Sequence, residues 1–420
     1  MTIVHFSTEV TGGAGAFAAS IHLAMRQSGM SSVLVTRESN FLEDAITLKP
    51  LTRLEKSIRA RRLTILGRLG WLNNKYATFG IEKPTVTFGD IQDALISRQP
   101  RAFIFYWVSY FIDFECMSKL RQAYPEIPFL LVCLDEGFLG GGCHYSWGCN
   151  GYEGDCANCP STPSRLRKRK FQMEMRKRID EMRRIDPVVL YPTTTMARMG
   201  ERSASLMKLR SAVVPLGTVS RQEQERCLAH VRTENDENGE TRRKLTILVR
   251  SSSEYRKGCD LFVDAIRSLA VDISDIRSNL RVITIGDAFL ENSRIGEFVE
   301  HEFKGIVQRD QLMEIYREID ALVVTSREDA GPLMINECVA LGRFVISTPV
   351  GVASDLLTDG RYGLVVDAFS SEAICAALKL YYLRTESVDA LTCVPEGHRL
   401  TYDGYVKSLL GVLEGGAVRH

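Results

Sequence analysis

The chain has 420 residues, 45% of them hydrophobic and 25% charged, with a formal net charge of +1 at pH 7. That length suggests two or three domains with cores of their own, and the composition is that of an ordinary soluble globular protein. The balanced charge excludes a globally acidic or basic role, and no run of about 18 apolar residues is present to cross a membrane. The N-terminal residues 1–6 begin as a strand, not as a charged segment followed by an apolar one. No signal peptide is therefore expected, and the cytoplasm is the expected compartment. Of the 11 cysteines, most are scattered, as in a reducing compartment, and four are clustered.

In chain order, residues 3–7 read as a strand, 11–15 (TGGAG) as a Gly-rich turn, 16–28 as a helix and 31–36 as the next strand. In this βαβ unit the glycines let a phosphate or sugar approach the backbone, with Gly13 and Gly15 as candidates. Tight packing of the helix on the strand would call for the same glycines, and the spacing is not GxGxxG. Residues 51–72 interleave Arg53, Lys56, Arg59, Arg61, Arg62 and Arg68 with Leu54, Ile58, Leu63, Ile65, Leu66, Leu69 and Trp71. Such a basic amphipathic helix suits an anionic membrane interface; a solvated helix packed on its own domain is the alternative. Residues 102–108 and 129–134 read as buried parallel strands.

Cys143, Cys149, Cys156 and Cys159, closed by Pro160, end in a CxxC pair, a spacing at which two thiolates reach one metal from a tight turn. The segment is rich in Gly, Asn and Asp and has little to bury, so a structural Zn²⁺ is expected to supply its folding energy. Disulfides and free thiols are the alternatives, and His144 is a possible replacement ligand. A closed four-thiolate site has no open position for a substrate. Residues 165–184, RLRKRKFQMEMRKRIDEMRR, form a second basic helix with Leu166, Phe171, Met175 and Ile179 as a sparse apolar seam. A membrane surface or a lipid-diphosphate is preferred to nucleic acid as its partner, with a plain solvated helix as the alternative.

Residues 188–192 read as a strand, 196–201 as a helix, and 212–214 lead into Pro215-Leu216-Gly217. The stretch to Arg243 is polar and charged, with 235–239 as its loop-like centre. The expected domains are 1–217, with a Cys-rich insertion near 140–160, and 218–400. Residues 244–249 open the second domain, and the turn 250–258 (RSSSEYRKG) precedes a helix over 259–269. Arg250 and Lys257 offer positive charge for a diphosphate at a strand's carboxyl end. A strand over 280–286, an apolar run at 303–307 and a helix from Asp310 follow.

Residues 322–366 hold the densest signal: a strand at 322–325, a polar turn at 326–331, Pro332 in the first turn of a helix, and a strand at 344–347. The helix shows an apolar face through Leu333, Met334, Cys338 and Leu341 and stops near Gly342. Glu328 and Asp329 sit in the turn and Glu337 inside the helix. Amides around Gly331, Pro332, Leu333 and Met334 are placed to hold a diphosphate, flanked by carboxylates for sugar and ribose hydroxyls. Two acids that merely cap a helix are the bland alternative. Helices at 370–383 and 402–413 complete the chain. Two α/β halves with ligand-type turns at strand ends imply a cleft between two Rossmann-like domains.

The 322–366 string resembles the acidic signature of retaining glycosyltransferases of family 4. There an acidic turn, a Pro-led helix and a Glu precede a Gly-rich turn ending in an acid, here Val350-Gly351-Val352-Ala353-Ser354-Asp355. Asp329 and Glu337 have the family's spacing, with Glu328 an alternate one residue early. Lys257-Gly258 matches the family's Lys-Gly cleanly and Arg250 matches its Arg more loosely. GGAGAFAASIHLAMRQSG and the segment from Asp135 through Gly141-Gly142-Cys143-His144-Tyr145 resemble the colanic-acid and exopolysaccharide branch. This chain has Leu134 and Tyr106 where that branch often has His.

The resemblance implies an α/β fold of the GT-B type, two Rossmann-like domains with parallel sheets facing a central cleft, with a C-terminal helix near 400–415 packing back on the first domain. It implies a retaining hexosyltransferase that uses a nucleotide sugar and no catalytic metal, acting on a growing glycan or lipid-linked oligosaccharide. Asp329, Glu328, Glu337 and Lys257 would be catalytic. Gly13, Gly15, Arg250, Gly331, Pro332, Leu333 and Met334 would join Lys257 and Glu337 around the donor, and Asp135 and His144 would lie on the acceptor side. Peripheral attachment through 51–72 and 165–184 to the inner face of the cell membrane fits that substrate; no nucleic acid is expected. A GT-B nucleotide-sugar epimerase and a non-catalytic nucleotide-sugar-binding subunit are the rival readings.

Overall fold

The computed structural model describes residues 1–38, 42, 44–50, 52–68, 73–78, 84–237, 244–385, 399–415 and 418–419. The chain divides into two compact units, Met1–Pro215 with Tyr405–His420, and Leu216–Gly404.

In the first unit the elements are β1 Thr2–Phe6, α1 Gly12–Gln27, β2 Ser32–Thr36, β3 Ala45–Thr47, α2 Arg53–Arg68, α3 Phe88–Leu95, β4 Pro100–Phe105, α4 Phe114–Ala123, β5 Phe129–Val132, α5 Arg165–Ile185, β6 Val188–Tyr191, α6 Thr194–Arg202 and β7 Arg210–Val213. Strands β1, β2, β5 and β6 are buried at every residue, as expected where helices cover both faces of a parallel sheet. Helix starts are marked by side-chain caps: Thr87 with Asp90 in a capping box, Asp113 on the Cys116 amide, and Thr193 on the Met196 amide.

The second unit has α7 Arg221–Glu237, β8 Leu245–Ser251, α8 Cys259–Asp272, α9 Ile276–Asn279, β9 Leu280–Gly286, α10 Phe289–Asn292, β10 Glu300–Gly305, α11 Arg309–Glu318, β11 Ala321–Val324, α12 Leu333–Ala340, β12 Phe344–Ser347, α13 Ala353–Leu356, β13 Gly363–Val365 and α14 Ser371–Thr385. Its sheet runs β10-β9-β8-β11-β12-β13, every neighbouring pair parallel. The two-residue period of a strand sorts β8 between the covering layers. Ile247 and Val249 pack in one cluster with Phe262 and Ile266 of α8, and Leu248 packs in the other with Ile335 and Val339 of α12.

Helix α15, Tyr402–Leu413, and β14, Val418–Arg419, end the chain. Tyr405 is buried edge-on against Phe17 of α1, ring centroids 5.0 Å apart, and β14 pairs antiparallel with β7. The first sheet thus has the order β14-β7-β6-β5-β4-β1-β2-β3. In each unit the strand order reverses once, between β1 and β4 in the first and between β8 and β11 in the second. At such a point the loops leaving two adjacent strands diverge and open a crevice at their carboxyl ends.

Three local expectations differ from the structure. The Gly-rich segment is not a turn: α1 begins at Gly12, so Gly13 and Gly15 lie in its first turn. A Cβ on Gly15 would sit 2.5 Å from the Glu9 carbonyl oxygen, so this glycine serves close helix packing. The charged stretch after Gly217 holds α7, whose Gln224 and Cys227 face inward beneath a charged exterior; of the expected loop at 235–239, residues 238 and 239 fall outside the described residues. Arg250 lies inside β8 instead of in the turn after it.

The first core contains a titratable cluster. His5 of β1 is fully buried, with Nδ1 3.1 Å from the Tyr106 hydroxyl and its ring 6.0 Å from that of His22. Burial, reinforced by His22, pushes the His5 pKa down to about 3. An unfolded histidine takes a proton near pH 6.5 and native His5 does not, so His5 removes stability as pH falls below that value towards 3. In urea unfolding between pH 7 and pH 5, His5→Phe is expected to reduce the slope of stability against pH by about 1.4 kcal/mol per unit below pH 6.5. An unchanged slope would show that other groups carry the acid sensitivity.

Candidate functional site

The reversal point of the second unit collects the acidic turn and the cationic loop. After β8 the chain makes a single 3-10 turn, Tyr255–Lys257; after β11 it runs through Asp329 to Pro332, which caps α12. Lys257 Nζ lies 2.5 Å and Arg256 Nη1 3.2 Å from Asp329 Oδ2, and the side chains of Lys257 and Asp329 are only 14% and 12% exposed. The Arg327 amide donates to the Arg256 carbonyl at 2.8 Å, and the Thr325 hydroxyl donates to the Lys257 carbonyl at 3.0 Å. The two loops are stitched together before any ligand arrives. Gly258 permits the approach: its φ is +63°, and a Cβ would overlap the Thr325 carbonyl oxygen.

Burial by itself would raise the Asp329 pKa, but Lys257 and Arg256 outweigh it and hold the carboxyl below its ordinary value. Burial lowers Lys257; Asp329 opposes this, and Arg256 and Arg250 add to it. Arg250, although on the strand and exposed, is thus within electrostatic reach of the site. Two cations face one carboxylate beside the N-terminus of α12, where Pro332 supplies no side-chain cap. The arrangement suits an anion with several oxygens. Glu328 presents its backbone carbonyl to Arg256 at 3.2 Å.

Glu337 is built into a separate network. Arg309 Nη1 lies 2.5 Å from Oε1, and the Tyr316 hydroxyl donates to Oε2 at 2.5 Å. Arg309 also meets Glu223 at 3.1 Å and the Thr218 carbonyl at 2.9 Å. Desolvation would lower the Arg309 pKa, but Glu337, Tyr402 and Glu223 together outweigh it and raise it; burial drives the Tyr316 pKa well up. The apolar face of α12 is wider than its sequence suggested, because Ile335, Asn336 and Val339 are buried with Cys338, while Leu333 and Met334 are half-buried.

In the first unit a cavity of about 460 Å³ opens at the ends of β4 and β5, lined by Trp107, Tyr110, Phe114 and Phe138 among others, with Asp135 and His144 in its wall. His144 Nδ1 lies 2.6 Å from Asp135 Oδ2, and Ser109 Oγ lies 2.9 Å from His144 Nε2. Sequence reasoning named Asp135 and His144 but missed Ser109, which belongs to no motif. Leu134 also lines the cavity, and Tyr106 turns its hydroxyl to His5. Gly13 is exposed on α1.

The expected structural zinc finds no support in the structure. Among the described residues no group of three or more His, Cys, Asp or Glu side chains is arranged to hold a metal ion. The thiols find local partners: Cys156 accepts from the Gly141 amide, Cys149 from the Gly151 amide, both at 3.3 Å, and Cys159 lies 2.9 Å from the Ser161 hydroxyl. The basic helices also differ in part. On α5, Phe171 and Met175 are buried as expected, joined by Arg178, which donates to the Gly137 and Gly140 carbonyls, while Leu166 is 82% exposed. On α2, Leu54 and Ile65 are exposed; Leu51 and residues 69–72, Trp71 included, lie outside the described residues.

The loop geometry yields a paired test. Gly258→Ala is expected to lower the unfolding free energy by roughly 2–4 kcal/mol, from left-handed strain plus overlap. Gly331→Ala, in open space within the same site, should cost less than about 1 kcal/mol. Equal losses in urea titrations would contradict the stitched-loop account.

Residues 243–382 match the model of the family described as glycosyl transferases group 1. A stretch of 115 residues is 30% identical to an uncharacterized glycosyltransferase of Methanocaldococcus jannaschii; it spans 27% of this chain and 31% of that protein. Among solved structures, the chain is similar to sucrose-phosphate synthase from Thermosynechococcus elongatus, with 15% identity, a TM-score of 0.63 and 98% of each chain covered. It is also similar to Anabaena HepE in complex with UDP and glucose, with 12% identity, a TM-score of 0.59, and 98% of this chain and 99% of that one covered. The protein thus has the α/β fold of two parallel-sheet, Rossmann-like domains found in GT-B glycosyltransferases, and its residues 243–382 carry the glycosyl transferases group 1 signature.

Proposed function

We propose that this protein is a glycosyltransferase that moves a sugar from a nucleotide-sugar donor to a growing glycan or lipid-linked oligosaccharide. The observation that carries the reading is the convergence of Lys257, Arg256 and the start of α12 on Asp329, within the stretch that matches the glycosyl transferases group 1 model. The complex of the similar Anabaena HepE with UDP and glucose supports a nucleotide sugar as the donor class.

In the proposed reaction the diphosphate displaces Asp329 from Lys257 and takes charge-assisted hydrogen bonds from Lys257, Arg256 and the amides of Leu333 and Met334. These contacts strengthen as negative charge grows on the departing nucleoside diphosphate, which lowers the barrier electrostatically. Asp329, released, accepts hydroxyls of the transferred sugar. Glu337 accepts ribose hydroxyls on the lone pairs that Arg309 and Tyr316 leave open. Arg250 adds long-range positive charge, and Glu328 shapes the turn through its backbone. No step calls on a metal ion. Retention of anomeric configuration, a hexose as the moved sugar and a role in surface polysaccharide assembly follow from the family 4 resemblance and belong to the same proposal. Exposed apolar and basic residues on α2 and α5 support contact with an anionic membrane surface, where a lipid-linked acceptor would reside.

A thermal-shift screen against UDP, GDP and common nucleotide sugars tests the donor site. At 100 times Kd, binding stabilises by about 2.7 kcal/mol, which raises the melting temperature by several degrees. One nucleotide is expected to do this in the wild type and not in Lys257→Ala. Release of nucleoside diphosphate that requires an acceptor then identifies transfer. Donor conversion without acceptor would point to epimerisation, and binding without turnover to a non-catalytic subunit. Absence of any shift in protein that melts cooperatively would overturn the donor site.

A further inference from the structure

Glu337 follows Leu333, the first residue of α12, by four positions, so the two share one face of the helix about 6 Å apart along its axis. A nucleoside diphosphate with its phosphates at the start of α12 would place its ribose beside Glu337. The carboxylate there is fixed oxygen by oxygen. Oε1 meets Arg309 Nη1 at 2.5 Å, and Oε2 accepts from the Tyr316 hydroxyl at 2.5 Å. A carboxylate offers two lone-pair sites on each oxygen, so one site per oxygen stays open. The Glu337 side chain is only 9% exposed, which shields those open sites from bulk water.

Both donors to Glu337 are themselves immobilised. Tyr316 is fully buried on α11, and its hydroxyl has one proton, which goes to Glu337. Arg309, the first residue of the same helix, also meets Glu223 at 3.1 Å and donates to the Thr218 carbonyl at 2.9 Å. Helix α12 is latched to that same stretch of chain. Buried Asn336 Nδ2 donates to the Leu216 carbonyl at 2.9 Å, and buried Gln224 Nε2 donates to the Ala340 carbonyl at 2.9 Å. Residues 216–224, α11 and α12 thus form one frame around the carboxylate. Within it Glu337 is kept from turning both oxygens onto Arg309, because Tyr316 retains the second.

We propose that Arg309 and Tyr316 make the donor site selective for ribonucleotides over 2′-deoxyribonucleotides, by presenting Glu337 as two fixed acceptors to the 2′,3′-diol of the ribose. The inference rests on the nucleotide-sugar reading and narrows its donor class. Sugars carried on a ribonucleoside diphosphate such as UDP, GDP or ADP are taken, and sugars carried on dTDP are refused. A ribose gives one hydroxyl proton to each carboxylate oxygen. A 2′-deoxyribose gives only one, and the second lone pair is left without a partner in a nearly closed site. A site built to bond a hydroxyl rejects the analogue that lacks it for this reason. No covalent bond forms or breaks at Glu337. Arg309 and Tyr316 are positioning residues that act through it.

The test is calorimetric titration of the full chain with UDP, GDP, ADP, their 2′-deoxy counterparts, dTDP and inorganic pyrophosphate. The ribonucleoside diphosphate that binds best should bind at least about tenfold more tightly than its 2′-deoxy counterpart. Tyr316→Phe keeps the ring in the core and lets Arg309 draw both Glu337 oxygens to itself, so the preference should fall below about threefold. Arg309→Met should lose the preference as well, and Arg309→Lys, which restores a charged donor, should recover most of it. Pyrophosphate has no ribose and should bind wild type and all three variants within about twofold. If the variants weaken pyrophosphate, ribonucleotide and deoxyribonucleotide alike, the network is merely structural and the inference is overturned. It is also overturned if wild type binds the 2′-deoxy counterpart within about twofold of the ribonucleotide, or dTDP more tightly than any ribonucleotide. In both of those cases the nucleotide-sugar reading stands. Wild type that binds none of these nucleotides overturns that reading and the inference with it.

Discussion

The second unit depends on one electrostatic arrangement, a largely buried carboxylate between two cations at the point where the strand order reverses. Asp329 could not stay ionised at that depth alone; Lys257 and Arg256 keep it charged and thereby tie the loop after β11 to the loop after β8. Arg256 also meets Glu254 at 2.9 Å, so Asp329 is one of two carboxylates on this pair of cations, and an anion that brings more negative charge than Asp329 does can displace it. The parallel pairing of β8 with β11 sets the two loops side by side, and the left-handed Gly258 lets them touch. A structural ion pair and a diphosphate cradle are here the same atoms in two states.

The cavity of the first unit is lined by Lys177 and Arg178 as well as by carboxylates. It lies at the ends of β4 and β5, adjoining the reversal between β1 and β4, and its polar centre is a hydrogen-bonded chain rather than a salt-bridged cluster. A carboxylate that accepts from one imidazole nitrogen fixes the tautomer of the other.

Much of this was legible in the sequence, and for physical reasons. Buried parallel strands such as 280–286 are continuous β-branched runs, and β9 coincides with that expectation. The edge strand β10 begins three residues before the apolar run at 303–307 and was not read as a strand, because Glu300, His301 and Glu302 face partly outward and interrupt the apolar pattern. Helix α7 was hidden because its exterior is charged and its inward residues, Gln224 and Cys227, are weak apolar signals. The partners of Glu337 were invisible: Arg309 and Tyr316 lie on another helix, and only the fold brings α11 against α12. Ser109 was missed for the same reason, being joined to His144 across 35 positions. The cysteine spacing allowed a metal, but spacing constrains only where thiols can reach; Cys149 and Cys156 each accept from a nearby amide, and Cys159 lies beside a hydroxyl.

The central claim is that Asp329 and an incoming diphosphate compete for Lys257. Calorimetric titration of the nucleoside diphosphate into wild type, Lys257→Met, Asp329→Asn and the double variant measures that competition directly. The account predicts weaker binding in Lys257→Met and tighter binding in Asp329→Asn, where the lysine is released and a repelling charge removed. It further predicts that much of the Asp329→Asn gain disappears in the double variant, because the gain acts through Lys257. If Asp329→Asn binds the diphosphate no better than wild type, or the two effects simply add, the pair is a structural clasp and the anion binds elsewhere.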